Sequence, residues 1–218
     1  MGKFWDDILD LLYPPRCAFC RRLLKRGESG ICALCEDTLP RTRDGGMQRC
    51  DFVEAVAAPL FYEDDVRESL HRYKFGGITA YAPVYGRLVA DCIRENLAGR
   101  YDLISWVPLS DKRLRKRGYD QAMLIAMAAA LELDTVAVET LHKVVDVAPQ
   151  SGTGSAEKRR ANISGAYEAA DPELVEGRRI LLIDDIVTTG STFSECARTL
   201  GMAGAESVVC AAVARTRD

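Results

Sequence analysis

One stretch near the C-terminal end constrains this chain more than any other: Arg178-Arg179-Ile180-Leu181-Leu182-Ile183-Asp184-Asp185-Ile186-Val187-Thr188-Thr189-Gly190-Ser191-Thr192. Residues 178–183 follow the Gly177 turn as a short, branched, apolar run that ends abruptly in charge, which predicts a buried strand. Two adjacent carboxylates stand where that strand is expected to stop. A small, hydroxyl-rich turn comes next, and Phe193, Cys196, Ala197 and Leu200 recur behind it at helical spacing. Thr192 with Glu195 has the pattern of a capping box.

This order of features is a chemical device. A helix start exposes unpaired backbone N–H groups and partial positive charge, so it holds a phosphate without a lysine. Thr188, Thr189, Gly190, Ser191 and Thr192 are the expected phosphate turn, because small residues let the backbone approach and the hydroxyls add donors. Asp184 and Asp185 are placed to accept from a pair of ribose hydroxyls or to reach a hydrated Mg²⁺. The ligand such a corner would take is a ribose 5-phosphate. The run has neither the Gly-Lys-Ser/Thr of a Walker A loop nor the G-x-G-x-x-G of a dinucleotide fold. It resembles the phosphoribosyl pyrophosphate (PRPP) motif of the type I phosphoribosyltransferases.

The chain's 218 residues suffice for one α/β domain and a small appendage. Its formal net charge of -3 means that any nucleic-acid contact needs a local basic patch. Residues 1–12 interleave Asp6, Asp7 and Asp10 with apolar side chains, which predicts a short amphipathic helix stopped by Pro14-Pro15. A secretory signal or membrane span would want an uninterrupted apolar core, so no membrane insertion and a cytoplasmic location are expected.

Of eight cysteines, Cys17, Cys20, Cys32 and Cys35 form two C-x-x-C knuckles separated by eleven residues. Each knuckle offers two thiolates to one tetrahedral ion, so a single structural Zn²⁺ is expected, supplying much of the folding free energy of an N-terminal module over 1–50. Disulfides are the competing reading, disfavoured for paired C-x-x-C in a cytosolic chain. Cys50 stands alone, and Cys92, Cys196 and Cys210 fall on apolar stripes and read as core.

A basic, glycine-containing linker is expected over 41–49, then a main domain over 51–218. Within it the pattern predicts a strand-like entry over 52–62 interrupted at Pro59, helices ending near Tyr73 and over 81–96, and strands over 101–107, 136–141 and 207–214. An alanine-rich helix over 123–132 is expected to be capped near Asp120. Strands separated by helices imply a parallel, doubly wound α/β sheet with its ligand at the strand C-terminal ends. Ser110, Lys112 and Arg113 follow the 101–107 strand and are the expected pyrophosphate contacts, with Lys74 a weaker one. The glycine-rich, cationic stretch containing Ser151, Arg159 and Arg160 reads as a closing lid or a plain surface loop.

Knuckles ahead of such a domain resemble the ComF family, competence-associated proteins related to the phosphoribosyltransferases. The segments that carry the resemblance are His71-Arg72-Tyr73-Lys74-Phe75-Gly76-Gly77, Val107-Pro108-Leu109 with Arg113 through Ala122, Pro149-Gln150-Ser151-Gly152 with Arg159-Arg160-Ala161-Asn162, and the PRPP-like run. Two departures stand out: there is no second cysteine-rich ribbon, and Asp120 stands where the family usually has Asn. The resemblance implies a PRPP-binding protein that uses Mg²⁺ and acts as a phosphoribosyltransferase. A module that senses PRPP without turning it over is the second reading. The third is a DNA-uptake adaptor that binds single-stranded DNA or a helicase partner through Arg16, Arg21, Arg22, Lys25 and Arg26.

Overall fold

The computed structural model describes residues 14–145 and 165–217. The helix expected over 1–12 and the lid residues Ser151, Arg159 and Arg160 lie outside the described residues. The described strands are β1 (Gln48–Cys50), β2 (Val53–Ala57), β3 (Leu60–Phe61), β4 (Leu103–Trp106), β5 (Leu141–Lys143), β6 (Tyr167–Ala169), β7 (Arg179–Val187) and β8 (Ser207–Arg215). The helices are α1 (Ala33–Thr38), α2 (Asp64–Phe75), α3 (Ala82–Asn96), α4 (Asp111–Arg117), α5 (Gln121–Glu132), α6 (Pro172–Val175) and α7 (Ser191–Met202).

Continuous apolar runs make the centre of the sheet. β7 and β8 are each nine residues long, and every β8 residue after Ser207 is buried. Strands buried on both faces pair in parallel and need helices above and below. The order is β1-β2-β8-β7-β4, with β3 continuing along β8 after a break at Ala58-Pro59; β1 is antiparallel to β2 and the other pairs are parallel. Pro59 has no N–H to give the ladder, which accounts for the break.

Side-chain alternation then sorts β7 between two cores. Leu181 and Ile183 face α2, α3 and α5, while Ile180 and Leu182 face α6 and α7. Each such fully buried side chain contributes ~1.5–3 kcal/mol relative to exposure. The alanines of α5 allow it to close onto α3, where Gly86 is essential: a Cβ there would overlap Ala128. The protein is thus an α/β fold with a mostly parallel sheet covered on both faces.

Three local expectations need correction. The strand predicted to end at residue 183 runs on through both aspartates to Val187, because Asp184, Ile186 and Val187 keep pairing with Ala212, Ala214 and Arg215 of β8. The strand predicted over 136–141 is reduced to one parallel bridge, Ile104 to Ala137, after which the chain leaves the sheet and β5 pairs with β6. The stretch over 41–49 is not a free linker. Arg41 bridges Leu60, Thr42 N–H donates to the Pro59 carbonyl (2.9 Å), and the Arg215 guanidinium donates to the Gly46 carbonyl (3.3 Å).

Candidate functional site

Strand alternation decides how the acidic pair is used. Consecutive side chains of β7 point to opposite faces. Asp185 turns toward α2, where its side chain is 4% exposed and its Oδ2 lies 2.9 Å from Lys74 Nζ. That oxygen makes no well-directed hydrogen bond, so the contact is ionic. Asp184 is half-buried on the other face, and its Oδ1 accepts the Asp185 N–H at 2.7 Å. Burial, and then the charge of Asp185, pushes the Asp184 carboxyl well above the usual carboxylate range, while Lys74 pulls the other way. For Lys74 itself burial works against the ammonium, but Asp185 overcomes it and holds the amine above its ordinary value.

Beyond β7, Thr188 and Thr189 are exposed and Gly190 turns the chain with φ +73°, a conformation that disfavours any side chain. A Cβ on Gly190 would also overlap Cys50 Sγ. Gln48 Nε2 donates to the Thr188 carbonyl (3.1 Å), so β1 supports this turn from beneath. The expected capping box is absent. Helix α7 starts at Ser191 with Gly190 as its N-cap, so the cap residue brings no side chain; Thr189 Oγ1 accepts from Ser191 N–H at a long 3.5 Å, and Glu195 accepts from Gly165 N–H and pairs with Arg198. The first-turn amides beyond Ser191 are backbone donors for an anion.

The second expected anion loop lies beside it, at the end of the neighbouring strand β4. Ser110 caps α4, its Oγ accepting from Arg113 N–H at 3.4 Å; Lys112 is exposed and Arg113 half-buried. Sequence reasoning missed how this loop is held. Asp120 is buried, with Oδ1 accepting from Met123 N–H (3.0 Å) and Oδ2 from Leu109 N–H (2.9 Å). One carboxylate therefore caps α5 and clamps the β4 turn, and it removes the Leu109 amide from any anion site. Burial raises the Asp120 pKa and these amide bonds oppose the rise. An amide side chain could not accept from both donors in this arrangement with its NH₂ end, which gives the departure from Asn a physical meaning.

Also unforeseen is Tyr167 on β6, buried between the two loops. Lys143 Nζ donates to its hydroxyl at 2.9 Å, and it feels both the Asp184 charge and the Arg113 charge. A cavity of about 820 Å³ opens between the β4 turn, α4 and β5, lined among others by Trp106, Pro108, Ser110, Lys112, Met123 and Lys143. The structure thus brings Lys74 to Asp185, and sets Tyr167 where the charges of Arg113 and Asp184 both reach it.

The four knuckle cysteines converge as well. Their Sγ atoms all lie within 4.8 Å of one another, with Cys20 and Cys32 at 3.6 Å. Zinc–sulfur bonds of about 2.3 Å in a tetrahedron require sulfur–sulfur edges of roughly 3.8 Å, so the thiols fit the ion. Cys32 N–H points at Cys17 Sγ (3.5 Å), the contact that suits a sulfur carrying negative charge. The knuckles dock on α2: Ser69 Oγ donates to the Ala18 carbonyl (2.5 Å) and Arg72 to the Phe19 carbonyl (2.5 Å).

Comparison with known proteins adds lineage to this geometry. Residues 120–218 match the phosphoribosyl transferase domain and residues 8–53 the double zinc ribbon domain. The DNA utilization protein YhgH of Escherichia coli strain K12 is 28% identical, over 94% of this chain and 99% of that one. Competence protein F of Haemophilus influenzae is 26% identical over 88% and 93%, and competence protein ComFC of Bacillus subtilis 25% over 91% and 85%. Among solved structures, the glutamine PRPP amidotransferase of B. subtilis aligns with TM-score 0.42 and 22% identity over 61% of this chain, which spans about a quarter (26%) of that one. With a zinc-ribbon match, a phosphoribosyl transferase match and relatives similar over nearly their whole length, the chain is similar from end to end to the ComF-type competence and DNA utilization proteins.

Proposed function

We propose that this protein binds PRPP at the β7–α7 corner and acts on it as a phosphoribosyltransferase. The observation that carries the reading is a helix start whose N-cap is a left-handed glycine without a capping side chain, just after an acidic strand. In this reading the turn from Thr188 to Thr192 holds the 5-phosphate through its amides and hydroxyls. The acidic pair at the end of β7 lies on the ribose side, and Asp184 is its more exposed member. Ser110, Lys112 and Arg113 face the pyrophosphate.

Phosphoribosyl transfer needs little covalent chemistry from a protein. The C1 centre becomes oxocarbenium-like as pyrophosphate departs, so the side chains must hold geometry and offset charge. A half-buried carboxylate beside the phosphate turn fits a hydrated Mg²⁺, which would supply charge neutralisation for the leaving group. The acceptor is left unassigned by these residues.

Isothermal titration with PRPP and Mg²⁺ tests the reading. The double variant Asp184→Asn/Asp185→Asn should bind at least about tenfold more weakly, roughly 1.4 kcal/mol, with zinc content unchanged. Parent-like affinity in that variant would remove the ribose assignment.

A second reading is favoured by the names of the relatives, DNA utilization and competence proteins, together with exposed Arg21 and Arg22 on the first knuckle. Here the zinc module contacts single-stranded DNA or a helicase partner. Binding of an oligonucleotide that weakens steeply with salt and is lost on reversing both charges would support it. No affinity above background at low salt would rule it out.

A further inference from the structure

Lys74 was expected to offer its charge to pyrophosphate, yet the structure uses that charge internally. Its side chain is 22% exposed, and its ammonium rests 2.9 Å from the sealed carboxylate of Asp185. Its position is fixed rather than incidental. Lys74 lies in the last turn of α2, where Gly76 N–H closes onto the Arg72 carbonyl at 2.7 Å. The preceding residue, Tyr73, is fully buried; its hydroxyl donates to the Gln121 carbonyl at 2.9 Å and its own carbonyl accepts the Tyr119 hydroxyl. Both ends of Tyr73 are therefore tied to the junction of α4 and α5, and Lys74 is aimed at β7.

The surroundings explain why Asp185 needs this partner. On its face of the sheet the near groups are Tyr73, Tyr85 and Tyr119, whose phenols are pushed upward first by burial and further by its charge, and the buried carboxylate of Asp120. A carboxylate so enclosed has to be paired. Asp184 has a different environment across the strand, near Tyr167 and Cys196.

Resting on the phosphoribosyl reading above, we propose that Lys74 is a positioning residue of the sugar-phosphate site. Its ammonium keeps the Asp185 carboxylate turned into the α2 side of the sheet, so Asp184 is the one carboxylate of the pair that meets the ligand. The two aspartates then have separate tasks, one facing the sugar and one anchoring the strand to α2.

Ribose 5-phosphate and inorganic pyrophosphate, each titrated with Mg²⁺ by calorimetry, separate this from a direct anion contact. Ribose 5-phosphate has no pyrophosphate, so a contact between Lys74 and that group cannot account for an effect on it. The expected pattern is a loss of about tenfold or more for Asp184→Asn and for Lys74→Met, and within about threefold of parent for Asp185→Asn. The double variant Lys74→Met/Asp185→Asn should return to within about threefold of Asp185→Asn, since a neutral amide needs no counter-ion. Two results overturn the proposal: Asp185→Asn as damaging as Asp184→Asn, or Lys74→Met weakening pyrophosphate alone. Thermal melting judges the pair without any ligand, because the double variant should melt above Lys74→Met, and equal melting would also sink it. If the parent binds neither ribose 5-phosphate nor PRPP, the phosphoribosyl reading fails, and the melting comparison still decides the ion pair.

Discussion

The zinc knuckles and the β7–α7 corner are both places where backbone is bent tightly around a ligand site, and they are held by opposite means. The knuckles have few apolar residues of their own: Ala18, Phe19, Ile31 and Leu39 are buried beside the four thiols, and the rest of the cluster they join comes from α2, α3, α5 and the sheet. The corner hangs from two nine-residue parallel strands with a core on each face. One site is built by what it binds. The other is built by packing alone, which sets its shape in advance of any ligand.

Metal removal is the strongest way to break that comparison. Structural zinc in small modules contributes an apparent ~10–16 kcal/mol, more than the knuckles can recover from packing. A chelator, or Cys20→Ser, should therefore abolish zinc stoichiometry and expose the knuckle backbone to limited proteolysis, while the sheet keeps its circular dichroism. The effect should reach α2 as well, because Ser69 and Arg72 lose the Ala18 and Phe19 carbonyls as acceptors. Unchanged proteolysis without metal would mean that the module is held by its core, and the contrast would collapse.

Gly190→Ala tests the corner in the same spirit, with a smaller effect. Left-handed backbone costs a residue bearing Cβ roughly 1–2 kcal/mol, and the new methyl must also displace Cys50 Sγ. A total near 3 kcal/mol would lower the melting temperature by roughly 6–12 °C at this chain length, and PRPP affinity should fall more than tenfold, or about 1.4 kcal/mol. Adding Cys50→Ala should recover the overlap and leave the backbone cost. Full recovery would show that the turn tolerates an L-residue and that only the thiol enforces glycine.

This contrast also explains what could be read from the chain. The knuckle spacing, the order of strand, acids, turn and helix, and the parallel sheet follow from local pattern, because each rests on residues close in sequence. What escaped was made by distant residues. The 178–183 run gave no sign that the strand continues through Asp184 and Asp185, since the reason is pairing with Ala212 and Ala214 on another strand. The 41–49 stretch has the composition of a linker, and only its contacts with Pro59, Ala58 and Arg215 lace it to the sheet. The capping box failed because Glu195 finds Gly165 and Arg198 instead of the helix start. Asp120 was legible as a cap but not as the clamp on Leu109, eleven residues earlier in the chain.

The smallest effect sharpens the comparison most, because it asks whether the preformed corner is kept at a cost to the fold. Asp102 and Asp184 are useful opposites. Hydrogen bonds from half-buried Arg179 hold the Asp102 carboxyl down at about 2, so its contribution is full above the unfolded value and is lost progressively as pH falls from there through about 2. Asp184 is shifted upward, so in the window above the unfolded carboxylate value the folded chain binds more protons than the unfolded one, and stability falls as pH rises. Asp184→Asn removes that slope. The variant should melt higher than the parent at neutral pH, and the advantage should shrink on acidification toward the unfolded carboxylate value, while ribose 5-phosphate binding is lost throughout. A variant that tracks the parent in parallel at every pH would show that the Asp184 carboxyl costs the fold nothing, and that the corner, like the knuckles, is offset by its own contacts.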